Sequence, residues 1–189
     1  MEWQTCHSSI NQYYKRMNKL EVYSFSEYIP VRTLAHSIKD GNSESIMRAA
    51  VYMAHFVSLI ADEKSVLIPM PGRKGTADYT MRLAERISEL TGVAYADILR
   101  AKPHMPQYYR KLRYGVRGMS LLSFFLNADL PCGCRPILID NVLDTGTTAM
   151  SALRALGVPA DLVVIGNTEN YKLYDYPIHV FERSLAALS

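Results

Sequence analysis

This 189-residue chain has few cysteines and no long apolar segment, and each absence excludes a class of protein. The three cysteines, Cys6, Cys132 and Cys134, are too few for a disulfide framework, and no second Cys or His pair stands at a spacing that would complete a zinc site. No stretch approaches the roughly 20 apolar residues of a membrane span, and residues 1–16 lack the apolar segment of a signal peptide. We therefore expect a cytoplasmic protein with reduced thiols and no membrane partner.

Linkers and a strong charge imbalance are also absent. The chain is 49% hydrophobic and 21% charged, with a net charge of +3, which is ordinary for a globular protein and excludes a disordered or strongly basic one. No Pro/Gly/Ser-rich stretch divides it. The sequence predicts a single domain over residues 1–189, with residues 1–42 as an N-terminal extension or small covering hood and residues 43–189 as the core.

Helical and strand patterns alternate along the chain. Apolar residues recur at helical spacing over residues 43–61, after Gly41-Asn42, and over residues 79–90, before Gly92. Short apolar runs predict strands over residues 65–70, 94–99, 137–141, 162–166 and 178–181. Strands separated by helices favour an α/β fold with a mostly parallel sheet and helices on both faces, and ligands bind such sheets beyond the carboxyl ends of the strands.

The most specific motif lies in residues 136–150. A buried-strand pattern ends at Asp140, and a polar loop then precedes an amphipathic helix. The loop residues are Asp144, Thr145, Gly146, Thr147 and Thr148. Free N–H groups at a helix start suit a phosphate. The loop lacks the Gly-Lys-Ser/Thr of a Walker A sequence, and the chain has no GxGxxG. The alternative is an ordinary strand-turn-helix.

A second loop falls on the same predicted edge of the sheet. Gly72 and Gly75 flank Arg73 and Lys74 just after the strand predicted at 65–70. The glycines allow the backbone to approach an anion closely, and the two cations would neutralise it. The alternative is a solvated basic turn.

A third feature is a basic segment. No acid occurs between Asp97 and Asp129. Cations and aromatic residues alternate there: Arg100, Lys102, His104, Tyr108, Tyr109, Arg110, Lys111, Arg113, Tyr114 and Arg117. With two prolines and two glycines, the segment is expected to be a long mobile loop. Basic and aromatic residues together also suit single-stranded nucleic acid, and that alternative stays open.

The segment ILIDNVLDTGTT at 137–148 resembles the phosphoribosyl pyrophosphate (PRPP) motif of the type I phosphoribosyltransferases. With IPMPGRKGTADY, RAKPHMPQYYRKLRYGVRGM and the upstream YIPVRTLAHSIKDGN, the chain looks most like the ComF branch of that family over about residues 28–166. It lacks the N-terminal cysteine-rich zinc module common in that branch.

The resemblance implies a fold, an activity and a set of ligands. The fold would be type I phosphoribosyltransferase-like, with a flexible loop and a small hood. The protein would bind PRPP with Mg²⁺ and transfer the phosphoribosyl group to a nitrogenous base, releasing pyrophosphate. A base or a nucleotide would be the second small-molecule partner, and a homodimer is considered as the assembly. Tyr171, Tyr174 and Tyr176 are candidates to stack on the base, or else to cover the edge of the core.

The resemblance also implies residue roles. Asp140 and Asn141 would lie at the ribose, with Asp140 also at the metal. Thr145, Gly146, Thr147 and Thr148 would hold the 5-phosphate. Asp144 would be the general base, with helix capping as the alternative role. Gly72, Arg73, Lys74 and Gly75 would contact the pyrophosphate, and Arg110, Lys111 and Arg113 would belong to a loop that closes over PRPP.

Asn141 departs from the family pattern, which usually has a second acid there. An amide accepts a hydrogen bond from a hydroxyl but brings no charge to a metal-bound sugar phosphate. Two alternatives to an active transferase therefore remain: a non-catalytic PRPP or nucleotide sensor, and a nucleic-acid-binding module that uses residues 100–117.

Overall fold

The computed structural model describes residues 20–114, 121–168 and 170. Four parallel strands form the main sheet in the order β1, β7, β5, β2, and β6 also pairs with β7. Two further strands, β3 and β4, form a separate antiparallel pair. The strands are β1 Leu20–Glu27, β2 Ser65–Pro69, β3 Leu99–Ala101, β4 Phe124–Leu126, β5 Arg135–Ile139, β6 Val142–Leu143 and β7 Ala160–Asn167. The predicted α/β class with a mostly parallel sheet is confirmed.

Five helices accompany these strands in the described ranges: α1 Tyr28–Lys39, α2 Ser43–Ile60, α3 Tyr79–Thr91, α4 Gln107–Tyr114 and α5 Thr147–Leu156. Helix α2 begins where the side chain of Asn42 accepts a 2.9 Å hydrogen bond from the N–H of Ser45. Helix α3 ends at Gly92, whose φ of 75° is a left-handed conformation that glycine adopts without strain. The apolar spacing predicts both helices, and both are confirmed.

Helices cover both faces of the sheet because the strand side chains alternate between two apolar cores. In β7, Val163 and Ile165 pack with α1, α2 and α3, whereas Leu162 and Val164 pack with α5 on the other face. Strands β2 and β5 alternate in the same way. Burial on both faces explains why these strands are continuous apolar runs in the sequence.

The prediction of a strand over residues 94–99 is wrong. Only Tyr95 in that stretch pairs with the main sheet, through an isolated parallel bridge to Leu67. The regular strand begins at Leu99 and pairs with β4 instead. Apolar periodicity alone does not distinguish a sheet strand from an extended segment that makes a single bridge to the edge of the sheet.

The core begins before residue 43. Strand β1 and helix α1 lie within residues 1–42, the segment predicted as an extension or hood. Strand β1 pairs along its length with β7, from Leu20 opposite Ala160 to Glu27 opposite Asn167. The alternation LEVYSFSE is a strand pattern, but its partner strand lies 140 residues further along the sequence, so the pairing could only be seen in the folded chain.

Helix α1 runs across the carboxyl ends of the strands. It starts at the end of β1 and passes over β7, where a Cβ on Gly166 would lie 2.7 Å from Val31. It then reaches the end of β5, where the carbonyl of Ala35 accepts a hydrogen bond from Asn141. The turn after α1 is held by Arg82 of α3, which donates to the carbonyl of Gly41 at 2.8 Å. Helix α1 therefore forms a wall beside the carboxyl edge of the sheet.

Some predictions lie outside the described residues. The strand at 178–181 and the hood tyrosines Tyr171, Tyr174 and Tyr176 belong to this group. The basic loop is described in part, and it contains helix α4, which its sequence did not lead us to expect. None of the helices in the described ranges is long and apolar enough to cross a bilayer.

Candidate functional site

A cavity of about 1320 Å³ lies at the carboxyl edge of the sheet. Its wall combines helix α1, the loop after β2, the segment from β5 to α5 and the residues that follow β7. The two loops expected to bind phosphate groups thus line one cavity, because β2 and β5 are adjacent parallel strands that end at the same edge.

Gly146 shapes the loop expected to bind the 5-phosphate. Its φ is 74° and its ψ is −8°, a left-handed conformation immediately before α5. The first helical hydrogen bond of α5 runs from Met150 N–H to the Gly146 carbonyl at 2.8 Å. Thr148 and Ala149, in the first turn of α5, line the cavity with Gly146. N–H groups of a first turn have no acceptor within the helix, so this turn is suited to an anion.

The hydroxyls of the same loop have different roles. Thr147 is 0% exposed, and its hydroxyl lies 2.9 Å from the hydroxyl of Thr145. The carbonyl of Thr147 also accepts a hydrogen bond from Ser151, which in turn accepts from the N–H of Leu122. Thr147 therefore braces the loop, and its side chain does not line the cavity. Thr145, Gly146 and Thr148 do.

Asp140 directly follows β5 and lines the same cavity as the two loops expected to bind phosphate groups. Burial raises the pKa of its carboxyl from 3.8 to about 6, against the lowering effects of a hydrogen bond from the Asn141 N–H, the charge of Lys39 and the Tyr79 hydroxyl. The Asn141 bond to Oδ1 is 2.7 Å long. Burial thus disfavours the charged form of this carboxyl at the cavity wall, and its ionisation is delayed to about pH 6.

Asn141 has its side chain turned into the protein. It is 2% exposed, its Nδ2 donates to the Ala35 carbonyl at 3.2 Å, and its Oδ1 lies 3.4 Å from the Tyr79 hydroxyl. A carbonyl can only accept, so the amide nitrogen must face Ala35. Asn141 also lines the cavity, and its bond to a ribose hydroxyl stays a prediction. Its two hydrogen bonds join the end of β5 to helices α1 and α3.

Asp144 is held by residues that follow β7. Its Oδ1 accepts 2.8 Å hydrogen bonds from the Thr168 hydroxyl and from the Asn170 side-chain amide. The residue at the start of α5 is Gly146, and these two bonds tie Asp144 to the strand side of the cavity. The carboxylate lines the cavity and keeps a fixed orientation, which suits a group that positions or deprotonates a bound molecule.

The basic loop after β2 is anchored to the β3 strand. Gly75 has a φ of 102°, and its carbonyl accepts a hydrogen bond from the N–H of Ala101 at 3.0 Å. The carbonyl of Arg73 accepts from the N–H of His104 at 3.0 Å. Between these anchors Arg73 and Lys74 are exposed, and with Gly72 they line the cavity.

In the described part of the basic segment, Arg110 and Arg113 do not line the cavity. Arg110 is buried in α4, and the exposed Arg113 places its guanidinium 5.5 Å from the ring centre of Tyr114. Lys111 lies between them in the same helix. The cavity wall instead includes His104 and Pro106.

The wall also includes four basic side chains that are absent from the set of site residues that the sequence predicts. Arg32, His36 and Lys39 project from α1, and their i, i+4, i+7 spacing is a signal that the sequence contained. His104 is the fourth. Its Nδ1 lies 3.0 Å from the Met105 carbonyl, and its buried Nε2 has no hydrogen-bond partner in the described part of the chain.

A metal would have to be held with few protein ligands. The described residues contain no group of three or more His, Cys, Asp or Glu side chains that could hold a metal ion. Mg²⁺ commonly uses one or two carboxylates together with substrate phosphates and water. Asp140, at the wall of the cavity that both candidate phosphate loops line, fits that mode of binding.

Comparison with models of protein families gives no match, and comparison with curated proteins finds no relative of this chain.

Proposed function

We propose that this chain is a type I phosphoribosyltransferase that binds PRPP with Mg²⁺ and transfers the phosphoribosyl group to a nitrogenous base, with release of pyrophosphate. The observation that carries the proposal is the convergence of two unlike anion loops on one cavity. The first turn of α5 supplies N–H groups, and the loop after β2 supplies Arg73 and Lys74. A molecule with a phosphate at one end and a pyrophosphate at the other matches this pair.

Other residues of the cavity wall support the same ligand. Asp140 would accept hydrogen bonds from the ribose hydroxyls and contact the Mg²⁺ that PRPP carries. A positive ion favours the charged form of a buried carboxyl, so bound Mg²⁺ would lower the pKa of Asp140. Mg²⁺ would supply charge for the leaving pyrophosphate, and this chain's residues would orient the sugar. Asp144, fixed by Thr168 and Asn170, would accept a proton from the incoming base.

Binding and turnover need separate tests. Calorimetry with PRPP and Mg²⁺ should give saturable binding, and a screen of purine and pyrimidine bases should identify one that causes pyrophosphate release. Lys74→Gln should weaken PRPP binding by about tenfold or more, because it removes a charged partner of the pyrophosphate. Lys64→Gln, just before the amino end of β2, is the matched control. Binding without release for every base would favour a sensor.

Gly146 tests the phosphate loop itself. Gly146→Val should abolish PRPP binding, because a β-branched side chain resists a φ of 74° and would block the backbone approach. Gly157→Val is a matched control at the other end of α5, since Gly157 has a φ of 67° and a Cβ there would meet nothing within 4 Å. Equal PRPP affinity for both folded variants would contradict the assignment.

A further inference from the structure

Helix α1 gives the cavity a second set of basic side chains, separate from the two anion loops. The helix contains three basic residues, Arg32, His36 and Lys39, and no acidic one. All three line the cavity. Val31, Ala35 and Ile38 bury the opposite side of α1 in the core, so the cations lie on its exposed side. That exposed side is the one that lines the cavity.

The three cations are not equivalent. The charge of Lys39 acts on Asp140 and lowers the pKa of that carboxyl, so Lys39 belongs with the proposed ribose and metal region. Arg32 and His36 are one turn apart, about 6 Å along the axis, toward the start of the helix. Within residues 20–114, 121–168 and 170, the guanidinium of Arg32 is exposed and makes no hydrogen bond or ion pair.

The start of α1 also offers a surface for a flat ring. Tyr28 is half-buried. Its hydroxyl lies 3.2 Å from Nε2 of His36, and this contact holds the Tyr28 ring in place. Ile29 is 75% exposed and lines the same cavity. This end of α1 lies over β7, whose last residues precede the Thr168 and Asn170 that hold Asp144. An apolar contact and a guanidinium are thus combined on the Asp144 side.

From these observations we infer that α1 is the acceptor wall of the cavity, and that Arg32, with His36, binds a negatively charged substituent, a carboxylate or a phosphate, on the acceptor ring. This inference rests on the proposed function. Both anionic groups of PRPP have loops of their own after β2 and β5, so a further site that attracts anions indicates a third anionic group. The planar guanidinium presents two parallel N–H donors to such a group.

The test compares ring compounds that differ in charge. With PRPP and Mg²⁺ saturating, calorimetry would measure orotate against uracil, nicotinate against nicotinamide, and phenyl phosphate against phenol. At least one anionic member should bind about tenfold or more tightly than its neutral partner, and the preference should fall as salt is added. Whether a carboxylate or the phosphate pair shows the effect identifies the substituent.

Two variants test whether the preference for anionic ring compounds depends on α1. Arg32→Gln should reduce it to about threefold or less while leaving PRPP affinity unchanged. Arg154→Gln, an exposed arginine of α5 outside the cavity, is the matched control and should keep the preference. An equal loss of PRPP affinity in Arg32→Gln would overturn the inference, because Arg32 would then serve PRPP.

The remaining outcomes separate this inference from the proposed function. PRPP binding without a preference for any anionic member overturns the inference alone. Failure of PRPP to bind overturns the proposed function, and a charge preference measured without PRPP that Arg32→Gln removes would still support the anion site. A single-stranded oligonucleotide that displaces the preferred probe, and that Arg32→Gln no longer binds, would overturn the inference in favour of a polyanion surface.

Discussion

The hydrogen bonds of the Asn141 amide explain why an asparagine stands where the family that this chain resembles usually has a second acid. Its nitrogen donates to the Ala35 carbonyl in α1, and its oxygen faces the Tyr79 hydroxyl. A carboxylate in the same place would set an oxygen against the Ala35 carbonyl and add a second buried charge beside Asp140. The position thus fixes the wall of the cavity, and an amide meets its hydrogen-bonding needs better than an acid.

Asn141→Asp should therefore lower the free energy of unfolding by about 2 kcal/mol or more at neutral pH. Urea denaturation measures the change, with the exposed Asn127→Asp as control. No gain in pyrophosphate release is expected. A variant of unchanged stability and higher turnover would show that residue 141 contacts the ribose directly.

Asp140 makes the stability of the ligand-free protein depend on pH. The carboxyl ionises near 3.8 in the unfolded chain and near 6 in the folded one, so the folded state holds the proton longer. Its contribution to stability is present below about pH 4, is lost as pH rises to about 6, and then stays constant.

Replacing Asp140 with Asn removes the carboxyl and with it the loss of folding stability as pH rises. Relative to the native protein, Asp140→Asn should gain up to about 3 kcal/mol between about pH 4 and about pH 7. The exposed Asp129→Asn is the control, and urea denaturation at both pH values gives the difference. A gain that does not depend on pH would contradict the burial of Asp140. The same variant should weaken Mg²⁺-dependent PRPP binding.

At the scale of elements, the loop after β2, which is the candidate for binding pyrophosphate, is shaped by its close contact with strand β3. A Cβ on Gly75 would lie 2.4 Å from the Ala101 carbonyl oxygen, and the φ of Gly75 is 102°. Neither feature tolerates a side chain. The contact also connects the loop to the segment that contains α4.

Gly75→Ala should cost more than Gly92→Ala, because both positions have positive φ but only Gly75 would meet a backbone atom. The conformational part is about 1–2 kcal/mol for each, and the clash at Gly75 adds to it. Thermal unfolding of the two variants isolates the added cost. Equal destabilisation would mean that the loop moves away from Ala101 without penalty.

At the scale of the whole molecule, ligand binding at the cavity should couple the loops to one another. The cavity wall includes α1, both anion loops and His104 of the basic segment, so a bound ligand would contact parts that are far apart in sequence. Binding to the folded state alone also stabilises it by mass action.

Limited proteolysis tests this coupling. Cleavage within residues 101–117 should slow when PRPP and Mg²⁺ are saturating, as expected for a loop that closes over its ligand. Cleavage in the presence of Mg²⁺ alone is the control. The same rate with and without PRPP, at a ligand concentration where calorimetry shows binding, would contradict a lid.

The sequence by itself determined the local features of this protein. Helices α2 and α3, strands β2, β5 and β7 and the loop before α5 follow from apolar spacing, from Asn42 and Gly92 at helix ends and from Gly146, because these signals act over a few residues. Tertiary structure decided the rest. The pairing of β1 with β7, the course of α1 across the strand ends and the burial of Asn141 and Thr147 depend on contacts between distant segments. The local sequence does not show that the side chains of Asn141 and Thr147 are buried.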